Sequence, residues 1–135
     1  MATLIPMEVK AANTFNFNMG IKLIRGAYMN EERELAQSEG RESPVWDTIE
    51  DTHKCYDSNV ETIIGGMRDT DMLFVASHNT DSCELAMGLV NDDEGLRGKN
   101  RVRFGQLKGF SDQVTSDIAS QGFEVFKYLP FGPTE

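Results

Sequence analysis

Basic residues are scarce: 13 lysines and arginines stand against 22 acidic residues, a net charge of -9 over 135 residues. That balance argues against broad nucleic-acid binding, which needs a basic surface. It leaves room for a local basic pocket, because Lys22, Arg25, Arg103, Lys108 and Lys127 all fall on or near apolar runs. Cysteine is limited to Cys55 and Cys83, too few for a disulfide framework, and a reducing interior fits that usage best. With His53 and His78 the only histidines, no zinc spacing is satisfied and no metal site is expected. No apolar stretch approaches the roughly 20 residues of a membrane-spanning helix. Two-residue hairpin signals are missing, as are internal repeats and low-complexity segments. Residues 1–20 show neither a charged-then-apolar signal pattern nor an Arg-rich amphipathic presequence, so no targeting segment is expected in this chain.

The apolar fraction of 39% and charged fraction of 26% are ordinary, and the length suits one domain with a hydrophobic core. Four apolar, strand-like runs stand out: Ile21–Tyr28, Met72–Asn79, Val102–Leu107 and Glu124–Pro130. Helical patterns lie between them. Asn30 is a candidate N-cap, with Glu31 and Glu32 in a first turn that the helix dipole favours and Gly40 as the stop. After Pro44, the residues Trp46, Ile49, His53, Tyr56, Val60, Ile63 and Ile64 recur at helical spacing as a core stripe, ended by Gly65-Gly66. Thr80 or Asp81 caps a helix burying Leu85, Ala86, Leu89 and Val90. Ser111 or Asp112 opens a last helix through Val114, Ile118 and Ala119. Met7–Asn18 is ambiguous. Strands alternating with helices predict an α/β fold of parallel strands with helical crossovers.

Ligands of parallel α/β folds sit beyond the carboxyl ends of the strands. Each run here ends in a polar, aromatic or glycine-rich cluster, so the ends read as one shared site. In Arg25-Gly26-Ala27-Tyr28 the small residues admit a planar ligand to the backbone, and Lys22 and Arg25 neutralise phosphate or a reduced ring. The same residues also suit a plain turn with solvated cations. Ser77-His78-Asn79 places three hydrogen-bonding residues after a strongly apolar strand. Cys83 follows, without an oxyanion arrangement that would make it a nucleophile. Gly105-Gln106-Leu107-Lys108-Gly109 lacks the spacing of a phosphate loop and also suits a flexible turn. Tyr128-Leu129-Pro130-Phe131-Gly132-Pro133 reads as a rigid aromatic strand exit or as a surface turn.

Taken together, Lys22–Tyr28, Ala76–Asn79, Phe104–Leu107 and Tyr128–Pro133 resemble proline dehydrogenase, most closely its eukaryotic, mitochondrial branch. The resemblance runs from about Gly20 to the C-terminus, with the motifs in the family's order. It implies a distorted (β/α)8 TIM-like barrel holding FAD, which takes a hydride from L-proline to give pyrroline-5-carboxylate, with a membrane quinone as electron acceptor. By the same resemblance Lys22, Ile24, Arg25, Gly26, Ala27, Thr48, Ser77, His78, Asn79 and Gln106 contact the cofactor. Tyr28, Leu107 and Tyr128 wall the proline, and Lys22 and Tyr128 serve catalysis.

The resemblance places this chain in the second half of the barrel, strands five to eight, with residues 1–19 as a lead-in and residues 20–135 as a partial barrel domain. The substrate-side lysine, an acidic residue near the flavin and the paired arginines for the proline carboxylate then lie outside these residues. A fourth strand running straight into Pro133-Thr134-Glu135 reads as a truncated domain that does not oxidise proline by itself. Mitochondrial location, peripheral membrane association and oligomerisation of the parent protein follow from the resemblance alone. Two other readings stand beside it. One is a catalytically dead half-barrel acting as a binding or regulatory module, dimerising to cover its sheet edges. The other is a small α/β domain binding a phosphate-bearing ligand.

Overall fold

The structure, a computed structural model, describes residues 4–132. Helix α1 (Leu4–Phe15) leads into strand β1 (Gly20–Ile24). Helices α2 (Met29–Glu39) and α3 (Ile49–Gly66) separate it from strand β2 (Met72–Ala76). Helix α4 (Thr80–Asp92), strand β3 (Val102–Leu107), helix α5 (Asp112–Ser120) and strand β4 (Val125–Tyr128) follow. The strands form one parallel sheet in the order β1-β2-β3-β4, which bears out the α/β reading with helical crossovers. The register pairs Gly20 with Met72, Leu73 with Val102 and Phe104 with Val125.

Strand alternation gives the sheet two unlike faces. Leu73 and Val75 of β2 and Val102 and Phe104 of β3 are buried in one cluster with Val60, Ile63 and Ile64 of α3, Ala86, Met87 and Val90 of α4, and Ile118 of α5. Each large apolar side chain in that cluster stabilises the fold by roughly 1.5–3 kcal/mol. A one-residue slip of any strand would move its share to the other side, which is what holds the register. Parallel sheets ordinarily have both faces covered. Here the second face is uncovered among the described residues, and Ile24, Leu107, Phe126 and Tyr128 are between 46% and 59% exposed.

Helix α1 resolves the ambiguous N-terminal stretch. It closes on α3 because Gly66 has no side chain: a Cβ there would lie 2.3 Å from Val9 Cγ1. At the amino end of β2, the buried Asp71 carboxylate ties the α1–β1 turn to the α3–β2 turn. It accepts from Met19 N and Arg68 N, both at 2.8 Å.

Several local expectations are corrected. β1 stops at Ile24 and does not run to Tyr28, because Gly26 (φ 72°) and Tyr28 (φ 58°) are left-handed. Tyr28, not Asn30, occupies the N-cap position of α2, although Gly40 closes that helix as expected. Trp46 precedes α3 and Ile49 opens it, 46% and 65% exposed, so the buried stripe begins only at Tyr56. Asn79, not Thr80 or Asp81, caps α4, its side chain accepting from Ser82 N at 2.9 Å. Ala119 is exposed while its neighbour Ile118 is buried. The third run is a strand over its whole expected length, Val102–Leu107, whereas β4 ends at Tyr128 and not at Pro130. Pro133 of the strand-exit motif lies outside the described residues.

Candidate functional site

The carboxyl ends of the four strands border one cavity of about 860 Å³. β1 and the turn after it contribute Lys22, Ile24, Arg25, Gly26, Ala27 and Tyr28. β2 and its exit contribute Phe74, Ala76, Ser77 and His78; β3 contributes Gly105, Gln106 and Leu107; β4 contributes Phe126, Lys127 and Tyr128. In a chain of net charge -9, this lining holds three cationic side chains and no carboxylate.

Most residues singled out from the sequence are thereby brought together. Of the residues assigned to cofactor or substrate, Thr48 and Asn79 lie outside this lining and cap helices, Thr48 accepting from Asp51 N and Asn79 from Ser82 N, and the basic-pocket candidates Arg103 and Lys108 lie outside it too. The sequence reading missed Phe74 and Phe126 as lining residues, quoted Ala76 and Gly105 only as parts of motifs, and named Lys127 only for a local basic pocket. Period-2 alternation across the paired strands was the available signal, since Lys22 pairs with Phe74 and Ile24 with Ala76. Gly105 is glycine because the Phe74 ring lies over it, where a Cβ would sit 2.3 Å from Phe74 Cε1. The Phe74 ring in turn meets Phe126 with centroids 5.9 Å apart. An aromatic floor results.

The polar groups are held individually. Lys22 Nζ lies 5.8 Å from the centroid of the Tyr128 ring, a cation–π contact. β1 and β4 are three strand spacings of about 4.8 Å apart, so this contact reaches across the whole open face. Lys127 is committed elsewhere, donating to Phe110 O at 2.6 Å and pairing with Asp112 at 3.0 Å. His78 Nε2 accepts from Leu107 N at 3.0 Å, which requires that nitrogen unprotonated and joins the exits of β2 and β3. The imidazole stacks on Phe110 at 5.6 Å.

Arg25 Nη1 donates to Ser82 Oγ at 2.6 Å, and its Cζ lies 5.3 Å from the Tyr56 ring centroid. Gln106 Oε1 accepts from Thr115 Oγ1 at 2.5 Å. Arg25 Nη2 and Gln106 Nε2 are buried and have no hydrogen-bond partner among the described residues. A buried donor left unpaired costs about 1–3 kcal/mol, and both residues belong to the cavity lining. Burial pushes the Cys83 thiol up to about 11, and its Sγ donates to Ser77 O at 3.8 Å. It is a protonated packing group at neutral pH, not a nucleophile. Burial, reinforced by the charges of Cys83 and Asp57 against that of Arg25, also raises the Tyr56 phenol.

Fold and site define a parallel β/α unit with an anion-suited, aromatic-floored ligand cavity at the carboxyl ends of its strands. A family model described as proline dehydrogenase matches residues 2–135. "Proline dehydrogenase 1, mitochondrial" of Arabidopsis thaliana is 40% identical over 129 residues, covering 94% of this chain and 26% of that protein. The protein of the same name from Dictyostelium discoideum is 37% identical over 131 residues, covering 95% of this chain and 23% of that one. The chain thus spans about a quarter of the length of these curated relatives. Proline utilization A of Bdellovibrio bacteriovorus, solved as a crystal structure inactivated by N-propargylglycine, superposes with a TM-score of 0.82 at 19% identity. That alignment covers 96% of this chain and 13% of the other. The chain belongs to the proline dehydrogenase family.

Proposed function

We propose that these residues are strands five to eight of a distorted (β/α)8 barrel, with residues 1–19 leading into a partial barrel domain at residues 20–135. The parent protein is then an FAD-dependent enzyme that oxidises L-proline to pyrroline-5-carboxylate. The observation that carries this reading is that Lys22, residues 24–28, Ser77-His78, Gln106-Leu107 and Tyr128, from the four family-matched segments, border a single cavity.

The cavity suits FAD. Its cationic lining without carboxylates favours an anionic ligand. Gly26, Ala27 and Gly105 keep the lining low enough for a planar ring. FAD supplies the hydride acceptor when bound; the protein's part is binding, orientation and electrostatics. Lys22, Arg25 and the donors of Gln106 hold the anionic and carbonyl groups. Tyr28, Leu107 and Tyr128 wall the proline, with Lys22 steadying the Tyr128 ring through the 5.8 Å contact. For the whole protein the family reading adds two arginines for the substrate carboxylate, a mitochondrial location and a quinone partner. The uncovered sheet face favours a second reading for these residues alone, a catalytically silent module that binds flavin.

The deciding experiment is a visible spectrum of the purified chain after incubation with FAD and removal of free cofactor. A retained flavin band supports the cofactor site, and a band that proline leaves unbleached supports the partial-barrel reading. Bleaching by proline would overturn the need for the remaining strands, and bleaching by hydroxyproline alone would reassign the substrate. A colourless protein would overturn the cofactor site in this chain.

A further inference from the structure

We propose that Asp57 and Ser82, which do not line the cavity, are positioning residues that aim Arg25 at the anionic part of the ligand. The inference rests on the cofactor reading above and adds to it the machinery behind the binding cation.

Three elements meet at this point. Arg25 leaves the end of β1, and its backbone N–H donates to Ala76 O at 3.3 Å, so the main chain is fixed to β2. Its Nη1 donates to Ser82 Oγ in the first turn of α4, and the Ser82 hydroxyl donates to Asp57 Oδ1 of α3 at 2.5 Å. Ser82 is 0% exposed, and its own N–H is taken by the Asn79 cap at 2.9 Å. Tyr56 supports the guanidinium with its ring, and its hydroxyl donates to Leu23 O at 3.1 Å.

The direction of this chain of hydrogen bonds is fixed by chemistry. A guanidinium has only donors, and an ionised carboxylate has only acceptors. Ser82, with one proton, must therefore give it to Asp57 and receive from Arg25. The hydroxyl thus acts as a spacer. Among the described residues Arg25 forms no direct ion pair with a carboxylate. A direct arginine–carboxylate fork would use two donors and cancel the charge. The serine spacer uses Nη1 alone, keeps the charge of Asp57 one residue away, and leaves Nη2 without a partner among the described residues. Arg25, a residue of the cavity lining, is held by one arm and keeps its charge.

The test uses the whole 135-residue chain and has two readouts. In the free protein, nitrogen-15 NMR of the Arg25 guanidinium is expected to show hindered rotation that becomes fast in Ser82→Ala and is restored in Ser82→Thr. In FAD titrations followed by flavin fluorescence, Arg25→Met and Ser82→Ala are each expected to weaken binding about tenfold, the scale of one charge-assisted hydrogen bond. Asp57→Asn, made from the half-buried far end in case Ser82→Ala loses its fold, is expected to weaken it by a smaller factor. The decisive comparison is Ser82→Ala in the Arg25→Met background, where no further weakening is expected. If Arg25→Met leaves FAD affinity unchanged, or the wild-type chain takes up no FAD, the cofactor reading falls and this inference with it. If Arg25→Met weakens binding but Ser82→Ala does not, or weakens it equally without Arg25, only the positioning role is overturned.

Discussion

Replacing Asp71 by alanine removes the most densely bonded buried carboxylate described above. Its side chain is 1% exposed. Oδ1 accepts from Met19 N at 2.8 Å and Arg68 Nη2 at 3.2 Å, while Oδ2 accepts from Arg68 N at 2.8 Å and Arg68 Nε at 3.3 Å. Alanine strands two backbone donors and leaves the Arg68 guanidinium with Asn16 Oδ1 and Phe17 O as its acceptors. Breaking a buried ion pair from one side costs about 3–5 kcal/mol, a large share of the roughly 5–15 kcal/mol that holds a domain together. An asparagine in the same place would retain one acceptor oxygen but turn an amide N–H₂ toward a donor, so Asp71→Asn is expected to lose about 2–3 kcal/mol.

The pH dependence carries a definite sign. Burial alone would raise the Asp71 carboxyl, but the Arg68 side-chain hydrogen bond, the backbone N–H groups of Arg68 and Met19 and the Arg68 charge together outweigh it. They hold it below its ordinary value of 3.8. A folded pKa below the unfolded one means the contribution is complete above the unfolded value and is lost as pH falls through the folded value. Urea unfolding at pH 7 should show the full deficit for Asp71→Asn, and the gap to wild type should narrow below about pH 4. A deficit under about 1 kcal/mol at pH 7, or one that widens in acid, would refute the reasoning.

Gly105→Ala forces the Phe74 ring off its seat, with an expected loss of about 1–2 kcal/mol in urea unfolding. Adding Phe74→Leu, which removes the clashing Cε1 and Cζ, should recover most of it, and no recovery would locate the strain elsewhere. Lys22→Met should weaken FAD uptake several-fold in fluorescence titration, with the difference from wild type shrinking as salt is raised. A salt-independent difference would assign Lys22 a packing role only. A thiol reagent at pH 8 should label Cys55 and spare Cys83, whose thiol burial raises to about 11, until denaturant exposes both. Rapid labelling of two thiols in the native protein would contradict the burial of Cys83.

The existence of each strand is legible in the residues, but the element ends are not. β3 is legible to the residue because an apolar run bounded by polar Asn100-Arg101 and Lys108-Gly109 leaves little choice. β1 reads too long because Gly26, Ala27 and Tyr28 are small or aromatic and continue the run. Only the left-handed φ values of Gly26 and Tyr28 end it, and backbone angles have no single-residue signature. Thr48 and Asn79 resemble ligand contacts in sequence, although both are helix caps. Either use suits a short polar side chain after an extended segment, and no local window separates the two. Phe74 over Gly105 is a cross-strand fact, set by a register that no local window contains. The same holds for Arg25, Ser82 and Asp57, joined across sequence separations of 57 and 25 residues.

The sheet order β1-β2-β3-β4 also bears on how the chain reaches its fold. Each strand must find only its sequence neighbour, but the searches are unequal. The partners Gly20 and Met72, Leu73 and Val102, and Phe104 and Val125 close loops of about 50, 30 and 20 residues, and closing the first is harder than the last by close to 1 kcal/mol of chain entropy. Assembly is therefore expected to begin at β3 and β4 and to add β2 and then β1, so that mutations in β3 slow folding while mutations in β1 chiefly speed unfolding. The half of the cavity formed by Gln106, Leu107 and Tyr128 is then built before the segment carrying Lys22 and Arg25 arrives. The half carrying Lys22 and Arg25 is expected to be the last to close and the first to open.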